Sequence, residues 1–179
     1  MSAIQLRHNF VRAWTTDAIS VVEFGAGFGK ILNIIPPIVD ELTGIEAHKP
    51  YLDRWEGPKR AYKIWGDMRD GLKLLDEHNR TCDIALFFDS LEHLTAADAT
   101  ALIEQLKTRF RRIIVDIPEG DHPQTSDHYH LGADALQTHR STWSVSDMEQ
   151  LGFTVIFIPD MHSEPGKSTG GMLCRWEKP

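Results

Sequence analysis

The segment Ser20-Val21-Val22-Glu23-Phe24-Gly25-Ala26-Gly27-Phe28-Gly29-Lys30 constrains the fold of this chain more than any other. An apolar run with strand character meets an acid and then three glycines at alternating positions. Glycine accepts positive φ and carries no Cβ, so such a backbone turns tightly and lets a small ligand lie on it. The helix start expected next would offer unpaired amide hydrogens. A dinucleotide fingerprint, G-x-G-x-x-G, would need glycine at position 30, where Lys30 stands. The pattern here is E-x-G-x-G-x-G.

Short apolar runs alternate with helical patterns along most of the chain. Ile19–Phe24, Gly44–Glu46, Ala61–Trp65, Cys82–Phe88 and Arg112–Ile117 read as five strands, and their even spacing implies parallel βαβ units. Between them, Lys49–Trp55 opens with Pro50 at a helix start, Asp70–His78 carries Leu72, Leu74 and Leu75, and Thr95–Arg109 begins at a Thr95 cap. Pro36-Pro37 removes backbone donors inside the helix expected after the glycines and should break it near Ile35. After the fifth strand the pattern changes. Ser144 and Asp147 predict a capping box for a short helix ending near Gly152, and Phe153–Ile158 and Met172–Trp176 follow as two strands joined by a Pro/Gly/Ser loop. The whole reads as α/β: a doubly wound, mostly parallel seven-stranded sheet with helices on both faces and a C-terminal antiparallel β-hairpin.

With 179 residues, 41% hydrophobic and 25% charged, the chain suits one domain over 1–179 with a sizeable core. Its net charge of -7, with only Arg109, Arg111 and Arg112 clustered, is a poor footprint for nucleic acid. Cys82 and Cys174 lie far apart without C-x-x-C spacing, which reads as buried free thiols in a reducing compartment. No run of 18 apolar residues occurs, so no membrane partner and a cytoplasmic location are expected.

In a doubly wound sheet ligands bind at the carboxyl ends of the strands. Glu46 ends the second strand, 23 residues after Glu23; Asp67 follows the third in Trp65-Gly66-Asp67-Met68; Asp89 ends the fourth in Phe87-Phe88-Asp89-Ser90-Leu91-Glu92-His93-Leu94. This ordered set, with the acid ahead of the first glycine, resembles the class I S-adenosylmethionine-dependent methyltransferases, and the resemblance covers nearly the whole chain. It implies S-adenosylmethionine as cofactor and S-adenosylhomocysteine as product. Glu23, Gly25, Gly27, Glu46, Asp67, Met68 and Asp89 are then the cofactor-binding residues. Glu46 would accept from both ribose hydroxyls, Asp67 from the adenine amine with the Met68 amide on the ring, and Asp89 would lie beside the methionine end. Phe24, Phe28 and Trp65 are candidates to flatten the adenine pocket, with core packing the expected job for at least two of them.

A sulfonium is already a strong leaving group, so catalysis rests on alignment, exclusion of water and, for some acceptors, removal of a proton. His93 is the first choice for a base or positioning group and His139 the second. Residues 118–143 form the expected substrate-side loop, holding His122, His128, Tyr129, His130 and His139. Residues 1–18, with Ile4, Phe10, Val11 and Trp14 on one helical face, suit a lid or a homodimer contact. The expected function is transfer of a methyl group to an oxygen or nitrogen of a small-molecule acceptor. Two alternatives stand beside it: a non-catalytic S-adenosylmethionine-binding partner, and a divalent-metal-assisted O-methyltransferase using Asp89, Glu92, His93 and His139, which resembles the metal motif of certain O-methyltransferases. A metal is not expected on the first reading.

Overall fold

The computed structural model describes residues 2–162 and 169–179. Seven strands carry it: β1 (Ser20–Phe24), β2 (Glu41–Glu46), β3 (Tyr62–Trp65), β4 (Ile84–Phe88), β5 (Arg112–Pro118), β6 (Thr154–Ile158) and β7 (Gly171–Glu177). They form one sheet in the order β3-β2-β1-β4-β5-β7-β6. β1 to β5 pair in parallel, and β7 runs antiparallel between β5 and β6. Every residue of β1, β4 and β5 is buried, because both sheet faces are covered, and this is why their sequences read as continuous apolar runs. The edge strand β3 buries only Ile64. The Pro/Gly/Ser stretch expected to join the last two strands falls largely at 163–168, outside the described residues.

Six α-helices pack on this frame: α1 (Ala3–Thr15), α2 (Lys49–Asp53), α3 (Gly71–Glu77), α4 (Ala96–Arg109), α5 (Asp134–Gln137) and α6 (Val145–Gln150). Caps set their starts where the sequence placed them: the Thr95 hydroxyl accepts from the Asp98 amide, and Ser144 and Asp147 close a reciprocal capping box. Strand residues alternate between two cores. Val22, Phe24, Ala85, Phe87, Ile113 and Val115 meet Leu75, Leu102, Ile103, Leu106 and Met148 from α3, α4 and α6. Val21, Ile84, Leu86 and Ile114 face the other way, onto Val11, Leu6, Phe10 and Trp14 of α1 and onto Leu32 and Ile35.

Coverage of the two faces is therefore unequal. The segment after the glycines makes only one 3-10 turn, Ile31–Ile34, and leaves helical geometry at Ile35, as Pro36-Pro37 requires. α1 supplies the cover that a full helix would have given there. Its apolar face is thus occupied by the chain's own sheet, while Ile4, Arg7 and His8 line a cavity at the carboxyl ends of the strands. Among the described residues no helix is long and apolar enough to cross a membrane.

Candidate active site

The cavity at the carboxyl edge measures about 840 Å³, within the range of sites that take a drug-sized ligand. Glu23, Gly25, Gly27, Glu46, Asp67, Met68, Asp89, His93 and His139 all line it, together with Arg7, Glu92, His122 and His162.

The glycine loop forms one wall. Gly25 lies at φ +73, and a Cβ there would stand 2.6 Å from the Ser90 Cβ. Gly27, at φ +54, has nothing within 4 Å of such a Cβ; it faces open space and offers bare backbone. Glu46 braces this loop. Its Oε2 accepts from the Gly27 amide at 2.8 Å and its Oε1 from the His48 amide at 2.6 Å. Burial raises the Glu46 pKa, and these amides pull against it. Asp67 is gripped by Arg69, whose Nε and Nη2 reach its two oxygens at 3.0 and 2.6 Å; that bond holds its pKa below the usual range.

Glu23 is different. Only 2% exposed near the carboxyl end of β1, it has an Oε2 without a hydrogen-bond partner. Burial, then the charges of Glu46 and Asp89, push its pKa well up, with Arg7 opposing. An acid in this state waits for a cation or a proton.

Glu92, His93 and His139 bring donor atoms within 4.8 Å of one another. Glu92 is buried with Oε2 unpartnered, and burial, then Asp89, raise its pKa. Burial drops His93 to about 4 and lowers His139 too. The four-residue metal set of the alternative reading does not converge, however. Asp89 adopts left-handed backbone, φ 46, and its carboxylate turns to Arg7, Asp116 and His162 instead. Two of the three candidate aromatics stand away from the cavity. Phe24 stacks on Phe87 inside the core, centroids 5.1 Å apart, and Trp65 is 64% exposed with its indole donating to the Ala47 carbonyl. Phe28 alone of the three lines the cavity, against Tyr51 and Tyr129.

Loop 118–143 is pinned over the site by Asp127. Its buried carboxylate accepts from the Tyr51 hydroxyl at 2.5 Å and from the amides of Tyr129, Leu131 and Ala133. Those bonds overcome the opposing effect of desolvation and take its pKa down to about 2. His48 adds a contact from its Nε2 to the Leu131 carbonyl at 3.0 Å. Within this loop His128 and Tyr129 line the cavity and His130 does not. Arg7, Asp127 and His162 are the site residues that sequence reasoning missed. Arg7 and Asp116, which meet at 2.8 Å, stand 109 residues apart, and no local pattern joins them.

No protein-family model and no curated protein matches this sequence. Solved structures do. The N-terminal domain of EvdMO1 with SAH bound superposes with a TM-score of 0.65 at 15% identity, over 100% of this chain and 82% of that one. The 1,6-didemethyltoxoflavin-N1-methyltransferase of Burkholderia thailandensis gives 0.64 at 16%, over 99% and 79%. The small RNA methyltransferase HEN1 gives 0.64 at 17%, with 98% of this chain covering 25% of that one. The chain has the class I methyltransferase fold. In that fold the glycine loop, Glu46, Asp67 and Asp89 occupy the ends of β1, β2, β3 and β4 in turn, all on one rim of the sheet.

Proposed function

We propose that this chain binds S-adenosylmethionine and transfers its methyl group to an oxygen or nitrogen of a small-molecule acceptor, releasing S-adenosylhomocysteine. The observation that carries the reading is Glu23: a buried carboxylate with an orphaned oxygen, in the same cavity as a bare glycine backbone and close enough to Asp89 to feel its charge, fits a ligand that is cationic at one end. A dinucleotide fits poorly. Its diphosphate would meet Glu23, Glu46 and Asp89, and the single 3-10 turn after the glycines provides no helix N-terminus for it.

On this reading Glu46 holds the ribose hydroxyls while its own orientation is fixed by the Gly27 and His48 amides. Asp67, kept ionised by Arg69, retains lone pairs for the adenine amine beside the Met68 amide. Asp89 and Glu23 face the ammonium of the methionine end. The bound cofactor supplies an activated methyl group on a sulfonium. The protein then has to align the acceptor and keep water out, tasks suited to the walls formed by α1 and loop 118–143. With its pKa near 4, His93 is neutral at pH 7 and retains a proton poorly, so it serves to accept a hydrogen bond and orient the acceptor. The acid lining and the net charge of -7 favour a small acceptor over a polyanion such as RNA.

One observation favours a second reading. The orphaned Glu92 oxygen beside His93 and His139 fits a divalent ion that would polarise an acceptor hydroxyl.

Isothermal titration with S-adenosylmethionine, NAD and magnesium tests both. Micromolar binding of S-adenosylmethionine without NAD supports the proposal, and absence of cofactor binding overturns it. Cofactor binding without S-adenosylhomocysteine release across an acceptor screen points to a non-catalytic binding partner. Magnesium binding that His139→Ala abolishes supports the second reading.

A further inference from the structure

His162, just beyond β6, lines the cavity but takes no part in the chemistry described above. Its Nδ1 lies 3.3 Å from Asp89 Oδ1 and its Nε2 3.7 Å from Asp116 Oδ1. Asp116 is fully buried on β5; its Oδ2 accepts from Arg7 Nη1 at 2.8 Å, whereas its Oδ1 and the His162 Nε2 are buried without a hydrogen-bond partner. The same Arg7 nitrogen stands 3.7 Å from Asp89. Two carboxylates thus face one guanidinium and one imidazole. The group is neutral when His162 carries a proton and holds an uncompensated negative charge when it does not.

The other titratable groups around it are His8 beside Arg7 on α1, Glu23 on β1, Glu92 beyond β4, the Cys174 thiol on β7, and the His122 and His139 rings of loop 118–143. Burial disfavours the imidazolium, but Asp116 and Asp89 outweigh it and raise the His162 pKa.

We propose that cofactor binding expels the His162 proton: the ligand's ammonium takes Asp89, the imidazolium loses its partner at Nδ1, and the proton passes to solvent. What remains is a neutral imidazole whose Nε2 lies toward Asp116 and whose Nδ1 is left beside the Asp89 carboxylate that the ammonium now occupies. His162 is then the proton-accepting group of this site, charged while the site is empty and neutral once the methyl donor is seated. The inference rests on the S-adenosylmethionine reading. It requires affinity to rise with pH until His162 is neutral in the free protein, and then to level off.

Calorimetric titration with S-adenosylmethionine at pH 7 in PIPES and in Tris, two buffers of different ionisation enthalpy, counts the protons released on binding. Glu23 and Asp89 also lose protons on meeting a cation, so the difference between wild type and His162→Gln decides. Glutamine is polar and of similar size but does not titrate in this range. Release should be clearly smaller in His162→Gln than in the wild type. Asp116→Asn should reduce it similarly and lower the His162 pKa followed by NMR of its ring proton. Binding with unchanged release in both variants overturns the inference. No binding in wild type overturns the functional reading instead, and the two failures are distinct in the raw titration.

Discussion

On the proposed reading Glu46 does two jobs with one carboxylate. Its oxygens tie the Gly27 and His48 amides together, so it fixes the shape of the glycine loop before any ligand arrives. It then has lone pairs left for a ribose. Glu46→Ala should therefore weaken S-adenosylmethionine binding by about 1.5–3 kcal/mol, roughly tenfold to a hundredfold, the worth of hydrogen bonds to a charged group. Calorimetry on the folded variant checks this, and unchanged affinity would remove Glu46 from the cofactor site. Such residues were legible because they sit at strand ends, where sequence order and spatial order coincide. Arg7 and His162 were not, because each acquires its meaning from Asp116, a residue that in sequence is one more position within an apolar strand.

At the scale of elements, the strands and capped helices were readable because continuous apolar runs and capping boxes are local physics. Loop 118–143 was readable only as a histidine-rich stretch. Its organiser is Asp127, and nothing in the flanking sequence shows that this carboxylate reaches Tyr51, 76 residues away. Removing four acceptor contacts at once should free the loop while leaving the sheet intact. Asp127→Ala is expected to speed limited proteolysis within 124–134 on the order of 100-fold, about 2.7 kcal/mol of local opening. Equal cleavage rates would show that the aromatic contacts of Phe28, Tyr51 and Tyr129 hold the loop without it. After the glycines the break that Pro36-Pro37 predicts near Ile35 is present, but with only Ile31–Ile34 left before the prolines too few residues remain to nucleate a full helix, and a single 3-10 turn forms instead.

Across the whole molecule, the acids of the site oppose stability. Glu23 and Glu92 have raised pKa values in the fold, so the native state binds more protons than the unfolded chain. Stability is full below the ordinary carboxyl range and is lost as pH climbs from there through the raised values. Asp127 acts in the opposite sense, its contribution vanishing as pH falls toward about 2. The free protein should therefore melt at a lower temperature at pH 8 than at pH 5. Glu23→Gln should flatten that decline, raising the Tm at pH 8 while weakening cofactor binding, as scanning calorimetry and titration would show. A Tm that falls as steeply in Glu23→Gln would place the penalty elsewhere.

α1 touches both ends of β5. Near its start Arg7 reaches Asp116, and at its end the Trp14 carbonyl and Asp17 receive Arg112. A helix rises about 1.5 Å and turns about 100° per residue. The 13-residue helix is therefore a gauge cut to the length of the strand beneath it. Lengthening or shortening it by a single residue would rotate one set of contacts off the sheet while the other held. A surface helix that looks free to drift in length is in fact locked to its count.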